Sequence, residues 1–319
     1  MRAIFYGTPA CAVPFLELLA RRTSVVAVVS QPDKPAGRSL QLAASPVKVR
    51  ALALGLPVLQ PERPAAVVEQ LRRLNPDLAV AVAYGRLLPP DILALPVLGS
   101  LNVHFSLLPK YRGAAPVQWS LARGETETGV TIFWIERELD SGPVFRQERL
   151  AIDPDEDAEA LMARLTRSGL EALGRVLEDL VAGRVLKQAQ AGTPTFAPRI
   201  RREDARISWE RPAREIHDLV RGFRLWPTAY IQLKAPGPRS VQVLKTRLPT
   251  PGEAGGLGTG SASGGSIVRV ERGGGILVQC KDRSSIWLLT VQPEGKKPVA
   301  AADFINGLRL GVGGSLPLA

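Results

Sequence analysis

Residues 100–119, SLNVHFSLLPKYRGAAPVQW, contain an apolar run that carries two polar side chains and ends in a basic loop. Asn102 and His104 stand two positions apart, so in a strand both side chains point to the same face of a sheet. Pro109 ends the run, and a glycine-containing loop follows. In an open α/β sheet, ligands bind beyond the carboxyl ends of the parallel strands, where this pair and loop fall. The stretch therefore predicts a site; the alternative for His104 is a hydrogen-bonded core histidine.

The N-terminal part alternates strand and helix patterns. An apolar run at 3–8 is followed by a helical pattern at 13–21 and a β-branched run at 25–30. This order predicts an α/β domain with a parallel-type sheet. Further strands are expected at 77–84, 129–135 and 144–152, and helices at 47–54, 65–74 and 157–180. The first turn, Gly7-Thr8-Pro9, lacks the further glycines of a dinucleotide fingerprint, so no nicotinamide cofactor is expected.

Size and composition limit the class of protein. A chain of 319 residues is expected to form two domains. No apolar stretch approaches the roughly 18 to 20 residues of a membrane span, and the N-terminus lacks a signal-peptide pattern, so we expect a cytoplasmic protein. The two cysteines, Cys11 and Cys280, are far apart and lack metal-ligand spacing, which argues against disulfides and a metal site.

The positive charge is concentrated in the C-terminal part. The chain has a net charge of +11, of which residues 196–319 carry +9 from 19 Lys plus Arg against 10 Asp plus Glu. Such an excess favours a polyanionic partner such as nucleic acid, although it is also typical of a solubilising surface.

Short alternating runs in the C-terminal part predict a small barrel of five strands. An exposed linker at 182–202 and a helix at 214–224 precede the barrel, and a helix at 300–310 follows it. These runs lie at 229–233, 241–248, 267–270, 275–280 and 285–291. The glycine-rich stretch 251–265 predicts a flexible loop.

Three further features are candidates for function. The loop 31–46 shows no periodicity, and its cations Lys34 and Arg38 could reach a phosphate, although a plain solvated loop fits equally well. Gly85, after a strand, would allow a flat ligand to approach the backbone closely. Asp140 lies in a turn-forming Asp-Ser-Gly cluster, where it is either a structural turn residue or a carboxylate that orients or polarises His104.

Nine motifs are distributed along the chain. They are FYGTP at 5–9, QPDKPAGR at 31–38, SPVKV at 45–49, VAYG at 82–85, NVHFSLLPKYRGAAPVQW at 102–119, ETGVTIF at 127–133, LDSGPV at 139–144, ARISW at 205–209 and VQPEGKK at 291–297. Together they resemble the methionyl-tRNA formyltransferase family over about residues 2–310. Asn-x-His followed by Ser-Leu-Leu-Pro is common to formyltransferases and hydrolases that use formyltetrahydrofolate. The basic loop and the basic C-terminal part narrow the resemblance to the tRNA enzymes.

The resemblance implies a fold, a reaction and a set of residues. It implies a Rossmann-like catalytic domain at 1–182, a linker at 183–205 and an OB-like, tRNA-binding barrel at 206–319. The implied reaction is formyl transfer from 10-formyltetrahydrofolate, a co-substrate, to methionyl initiator tRNA, and a monomer without a metal is expected to carry it out. The implied residues are Asn102, His104 and Asp140 for catalysis, Tyr84, Gly85, Ser106, Leu107, Leu108 and Pro109 for folate, and Lys34, Arg38, Lys48 and Arg199 for tRNA.

The sequence departs from the family pattern in two places, the loop 31–46 and the linker. Ser39, Leu40 and Gln41 stand where many relatives have two further lysines, and Arg199 replaces a lysine in the linker. We therefore expect the loop 31–46 to make fewer phosphate contacts, which leaves more of the binding to the barrel.

The chemistry of formyl transfer fits these residue types. An amine attacks the formyl carbon, so negative charge grows on the formyl oxygen, and the amide of Asn102 and the imidazole of His104 supply donors for it. Asp140 would hold the His104 tautomer or take up a proton through water. The alternatives are a sugar-nucleotide or glycinamide ribonucleotide formyltransferase, neither of which needs a domain of charge +9, and a non-catalytic RNA-binding protein.

Overall fold

The protein is described by a computed structural model that covers residues 1–36, 41–234, 239–254, 264–281 and 283–317. Its contacts divide the chain into two compact units. The first unit comprises Met1–Pro116, Glu127–Ala151 and Met162–Pro198. The second comprises Val117–Thr126, Ile152–Leu161 and Arg199–Ala319.

The described residues form the following strands and helices. The strands are β1 (Arg2–Gly7), β2 (Ser24–Val29), β3 (Lys34–Ala36), β4 (Gln41–Ala43), β5 (Val58–Leu59), β6 (Leu78–Val82), β7 (Gly99–His104), β8 (Arg112–Gly113), β9 (Glu127–Trp134), β10 (Val144–Ala151), β11 (Phe196–Ala197), β12 (Tyr230–Leu233), β13 (Arg239–Arg247), β14 (Ile267–Val270), β15 (Ile276–Gln279), β16 (Ser285–Pro293) and β17 (Val299–Ala300). The α-helices are α1 (Val13–Arg22), α2 (Pro46–Ala53), α3 (Val68–Arg72), α4 (Pro90–Leu93), α5 (Pro116–Ala122), α6 (Ala158–Val181), α7 (Ala213–Gly222), α8 (Pro251–Ala254) and α9 (Ala301–Gly307).

A seven-stranded sheet forms the centre of the first unit, in the order β10-β9-β7-β6-β1-β2-β5. The strands from β7 to β5 are parallel, whereas β9 and β10 are antiparallel to their neighbours. All five residues of β6 are buried, as expected for a strand covered on both faces. The predicted α/β domain with a parallel-type sheet is confirmed.

The carboxyl ends of the parallel strands β1, β6 and β7 meet at one edge of this sheet. Register pairs Gly7 of β1 with Val82 of β6, and Ala81 of β6 with Asn102 of β7. Residues that follow these strands are therefore brought to the same edge, whatever their separation in the sequence.

Two local predictions in the first unit were incomplete. The loop 31–46 is not structureless, because β3 and β4 pair as an antiparallel hairpin within it. These strands have three residues each, too few for a period of two to show in the sequence. The helix expected at 65–74 starts as a 3-10 turn over Pro64–Val67 and becomes α3 only afterwards.

The stretch 182–202 has mostly exposed side chains, but its backbone is bound to the first unit. β11 pairs in parallel with β8, and Gln188 exchanges backbone hydrogen bonds with Val144 at 2.7 and 2.9 Å. Ala197 is completely buried. Residues 188–197, called the 188–197 segment below, therefore belong to the structure of the first unit.

An antiparallel sheet forms the second unit, in the order β12-β13-β16-β15-β14, with β17 added to β16. The five predicted strands and the all-β barrel are confirmed, the barrel as an antiparallel half-barrel. The two-residue strand β17 was not expected. Residues 251–254 of the predicted flexible loop form the helix α8, and 255–263 lie outside the described residues. No helix in the described part of the chain is long and apolar enough to span a membrane.

Candidate active site

Strand β7 places Asn102 and His104 at the carboxyl edge of the first sheet. Asn102 lies opposite Phe133 and His104 opposite Thr131 on the neighbouring strand β9. Since the two residues are two positions apart on a regular strand, their side chains point to the same face. His104 is buried and Asn102 is partly exposed. Within the described part of the chain, no side-chain hydrogen bond occupies the Asn102 amide.

The His104 ring has a different partner for each nitrogen. Its Nε2 lies 2.9 Å from the backbone oxygen of Tyr111, and its Nδ1 lies 3.7 Å from Oδ2 of Asp140. A carbonyl oxygen only accepts hydrogen bonds, so Nε2 carries a hydrogen and donates a hydrogen bond to the Tyr111 oxygen. Nδ1 is the nitrogen that faces the carboxylate.

Asp140 is placed by a constrained turn. Its backbone is left-handed, with φ +49°, and its Oδ2 accepts a hydrogen bond from the Gly113 amide at 2.7 Å. A side chain at Gly142 is excluded, because a Cβ there would lie 1.8 Å from the backbone oxygen of Trp134. The predicted turn and the predicted proximity of Asp140 to His104 are thus both present.

The turn after His104 is held by two polar side chains of adjacent strands. Thr131 on β9 donates its hydroxyl to the oxygen of Ser106 at 2.6 Å, and accepts from the amide of Leu108 at 3.1 Å. Gln147 on β10 donates to the oxygen of Leu108 at 2.7 Å. The Ser106 hydroxyl donates to the oxygen of Lys110 at 2.7 Å and has no exposure to solvent. Of the four predicted folate residues in this turn, Leu107 alone is partly exposed.

Tyr84 and Gly85 follow β6, at the same edge of the sheet. Two side chains donate to the oxygen of Tyr84: the Thr8 hydroxyl at 3.2 Å and the Gln31 amide at 2.7 Å. Gly85 has φ +78°, and a Cβ there would lie 2.7 Å from Nε2 of Gln31, so glycine fits this position best. Burial raises the pKa of the Tyr84 phenol, which therefore stays protonated at neutral pH.

The predicted tRNA residues are in different environments. Lys34 is exposed and donates to Oε1 of Gln31, a neutral partner, at 2.8 Å. Among the described residues Lys34 forms no ion pair. Lys48 forms an ion pair with Asp33, with 2.6 Å between Nζ and Oδ2. Arg38 lies outside the described residues. Arg199 belongs to the second unit and has a polar or electrostatic partner.

Gln190 is a site residue that sequence reasoning missed. Its amide nitrogen donates to the backbone oxygens of Asp140 at 2.8 Å and Gly142 at 2.9 Å. Its amide oxygen accepts from Arg112 at 2.7 Å. One side chain of the 188–197 segment therefore joins the Asp140 turn to the loop after β7.

Thr195 provides a second link between the same segment and that loop. Its hydroxyl accepts from the Tyr111 amide at 2.9 Å, and its backbone oxygen accepts from the Arg112 amide at 2.8 Å. Tyr111 is the residue whose carbonyl holds His104. Nothing in a single sequence indicates these contacts, because they join residues more than 80 positions apart.

Family models match both units of the chain. Residues 1–177 match the formyl transferase model, and residues 199–309 match the model of the formyl transferase C-terminal domain. The fold and the site therefore define a formyl transferase.

Curated relatives give the finer assignment. A methionyl-tRNA formyltransferase of Sorangium cellulosum is 43% identical, with 98% of each chain covered. One from Thermodesulfovibrio yellowstonii is 39% identical, with 97% of each chain covered. This chain belongs to the methionyl-tRNA formyltransferase family.

Solved structures support the fold. HypX from Aquifex aeolicus, in complex with tetrahydrofolic acid, matches with a TM-score of 0.63 and 16% identity over 98% of this chain, which spans about half (48%) of HypX. The sugar 3N-formyl transferase WlaRD matches with a TM-score of 0.65 and 17% identity over 93% of this chain and 99% of its own. At these identities the structures inform the fold alone.

Proposed function

We propose that this chain transfers the formyl group of 10-formyltetrahydrofolate to the amino group of methionyl initiator tRNA. The product, formylmethionyl-tRNA, serves translation initiation in the cytoplasm. The observation that supports the proposal is the position of His104, 3.7 Å from the Asp140 carboxylate, on the strand that also carries Asn102. One chain contributes all three residues, so a monomer suffices.

Asn102 supplies a hydrogen-bond donor for the formyl oxygen. When the amine attacks the formyl carbon, that oxygen gains negative charge, and a donor already in place stabilises the transition state. The Asn102 amide has no competing side-chain partner among the described residues, and it points to the same face as His104.

His104 and Asp140 handle charge and the proton. Attack forms a bond between the amine nitrogen and the formyl carbon, the bond from that carbon to the folate nitrogen breaks, and one proton passes from the amine to the released nitrogen. Nε2 of His104 is hydrogen-bonded to the Tyr111 carbonyl. Nδ1 is therefore the ring atom that can exchange a proton with the reacting groups. Asp140 uses Oδ2 to accept from Gly113, which leaves Oδ1 to take the proton from the amine, directly or through water.

The transfer is direct, without a formyl-enzyme. The Ser106 hydroxyl is buried and donates to the Lys110 carbonyl, so it is not free to attack. Burial raises the pKa of the Cys11 thiol, which disfavours a thiolate nucleophile. Recovery of formylated protein after incubation with the folate alone would contradict direct transfer.

The folate co-substrate fits the edge formed by Tyr84, Gly85 and the turn Ser106–Pro109. A glycine with a left-handed backbone lets a flat ring system approach the chain closely, and the Ser106–Pro109 turn is kept rigid by Thr131 and Gln147. We assign folate contacts in this turn to its backbone and to Leu107, because the other three side chains are buried.

The tRNA is bound by basic residues of both parts of the chain. Lys34, Arg38 and Lys48 would contact phosphates from the loop 31–46 and its following helix, and Arg199 from the predicted linker 183–205. Residues 206–319 form the proposed tRNA-binding domain and residues 1–182 the catalytic one. The charge of +9 on residues 196–319 supports this division of roles.

The test is transfer of a labelled formyl group to defined acceptors. The full-length protein is incubated with labelled 10-formyltetrahydrofolate and either initiator or elongator Met-tRNA, and formylmethionine is measured after hydrolysis. We expect product from the initiator tRNA. Transfer to an aminosugar nucleotide or to glycinamide ribonucleotide instead would indicate the related formyltransferases, and tRNA binding without any transfer would indicate a non-catalytic RNA-binding protein.

A further inference from the structure

A cavity of about 450 Å³ opens on the β12-β13-β16 surface of the second unit. Its volume is in the usual range of small-ligand sites. Its lining includes Arg202, Trp226, Tyr230, Gln242, Gln292 and Glu294. None of these residues belongs to the candidate active site, which lies in the first unit.

The wall of the cavity is built in register across three strands. Tyr230 on β12 lies opposite Gln242 on β13, and Gln242 lies opposite Gln292 on β16. Residues opposite each other in an antiparallel sheet point to the same face, so the phenol and two carboxamides form one continuous row. The Gln292 amide is oriented by its hydrogen bond to the Lys296 oxygen at 2.9 Å, which leaves its amide oxygen for a ligand.

Two flat groups flank this row of polar side chains. Trp226 is a lining residue with 60% of its surface exposed, an unusual position for the largest apolar side chain. The Arg202 guanidinium lies over the Tyr230 ring, 5.5 Å from its centroid. Indole and guanidinium planes are the groups on which unpaired nucleic-acid bases stack.

The polar groups favour a base over a phosphate in the cavity. Glu294 only accepts hydrogen bonds, and its charge would repel a phosphate. A base edge offers both donors and acceptors, which match Glu294 and the carboxamides of Gln242 and Gln292. The exposed Lys296 and Lys297 follow Glu294 in sequence, where they can meet the backbone phosphates of the same strand.

We propose that this cavity binds one unpaired base of an RNA strand, stacked on Trp226 and held at its edge by Gln242, Gln292 and Glu294. With the proposed function, that base belongs to a single-stranded or flipped-out position of the tRNA. The net charge of +9 on residues 196–319 makes RNA the favoured partner.

The first experiment measures quenching of indole fluorescence by short RNA. The full-length protein is titrated with a single-stranded RNA pentamer and with an abasic ribose-phosphate pentamer, in the wild type and in Trp226→Phe. The chain has five tryptophans, so the difference between the two proteins isolates Trp226. We expect quenching by the RNA only, and no Trp226 signal from the abasic strand. Equal quenching by both strands, or none by either, would refute base binding.

The second experiment uses Met-tRNA and matched variants. Trp226→Ala should weaken binding about tenfold or more, since loss of one stacked base costs on this order, while the salt slope stays as in the wild type. Trp226→Phe should restore most of the affinity. Leu225→Ala is the control, because Leu225 is a neighbouring exposed residue that does not line the cavity. Thermal unfolding of all variants verifies that they fold.

The outcomes separate this inference from the proposed function. If the wild type formylates Met-tRNA and Trp226→Ala binds and reacts normally, the inference is wrong and the function stands. If the wild type formylates no tRNA, the function is wrong, and the pentamer titration still decides whether the cavity takes a base.

Discussion

His104 and Asn102 are held in very different ways, although they stand two residues apart. The His104 ring is fixed on one side by the Tyr111 carbonyl and faced on the other by Asp140. The Asn102 amide is fixed by the strand alone, without a side-chain hydrogen bond among the described residues. The imidazole is thus oriented before any substrate binds, and the amide is free to turn toward a developing charge.

We expect Asn102→Ala to lower kcat by about 100- to 1000-fold, the usual effect of losing one donor to a developing oxyanion. His104→Ala should lower kcat by about 100-fold or more, the usual effect of losing a group that takes part in proton transfer. The KM for Met-tRNA should change little, because both side chains act on the reacting atoms and not on the rest of the tRNA. Steady-state formylation kinetics check both values. A rise in KM with unchanged kcat would contradict the assigned roles.

The 188–197 segment acts at the scale of an element, because it binds both loops that carry the site. Gln190 joins the Asp140 turn to Arg112, and Thr195 holds the backbone of Tyr111 and Arg112. These residues touch neither the His104 ring nor the Asp140 carboxylate, so they are positioning residues.

Gln190→Ala is expected to lower kcat about tenfold, with little change in the KM for folate or tRNA. Without its two bonds to the Asp140 turn, the carboxylate spends less time near Nδ1 of His104. The pH profile of kcat should shift as well, which a purely structural defect would not cause. Steady-state kinetics across a pH range measure both effects.

Gln188→Ala provides the matched control for that variant. Gln188 is of the same type and in the same segment, but its side chain is exposed and its hydrogen bonds with Val144 are made by the backbone. If both variants lose activity equally, the segment as a whole and not the Gln190 amide matters.

The difference between local and long-range contacts explains what the sequence could predict. Strands β2 and β6 closely overlap the β-branched run at 25–30 and the apolar run at 77–84. They could be predicted because a buried strand requires apolar residues that are consecutive in the sequence. Asp140 could be suspected as a turn residue for the same reason. The bonds from Gln190 to Asp140 span 50 positions, and no local pattern records them.

Helix α7 buries the second histidine of the chain in a charged environment. Nδ1 of His217 lies 3.0 Å from the Thr246 hydroxyl, and Nε2 lies 3.3 Å from Oδ1 of the exposed Asp155. Burial first, and the nearby Arg221 second, lower the pKa of His217, against the opposing effects of Asp218, Asp155 and the Pro154 backbone. The ring is therefore neutral in the folded protein at neutral pH.

The free energy of unfolding should fall as the pH drops below about 6.5, the ordinary pKa of histidine. Below that value the unfolded chain binds a proton on residue 217 that the folded chain does not, so stability is complete above it and is lost toward the folded pKa. Urea unfolding between pH 5 and 8 measures this slope. His217→Gln should flatten it, and an unchanged slope would show that other groups cause it.

At the scale of the whole molecule, charge is distributed unevenly and partly neutralised by ion pairs. Residues 196–319 carry +9 of the total of +11. In the first unit, the Lys48 ammonium is paired with Asp33. Hydrogen bonds from Gln60 and Lys48 lower the pKa of Asp33, so that this carboxylate stays ionised at neutral pH. We therefore expect a tRNA phosphate to compete with Asp33 for Lys48.

Asp33→Asn should strengthen tRNA binding, because it releases Lys48 while its amide oxygen can still accept from Gln60, as Oδ1 of Asp33 does. One additional phosphate contact steepens the plot of log K against log salt by about 0.7 to 0.9. Lys34→Ala, in contrast, should make the plot shallower by a similar amount, since Lys34 has a neutral partner.

Glu178→Gln is the control for Asp33→Asn, because it raises the net charge equally at an exposed pair with Arg22. Binding measured from low to high salt decides the matter: if Asp33→Asn and Glu178→Gln act alike, net charge and not a contact by Lys48 determines the affinity.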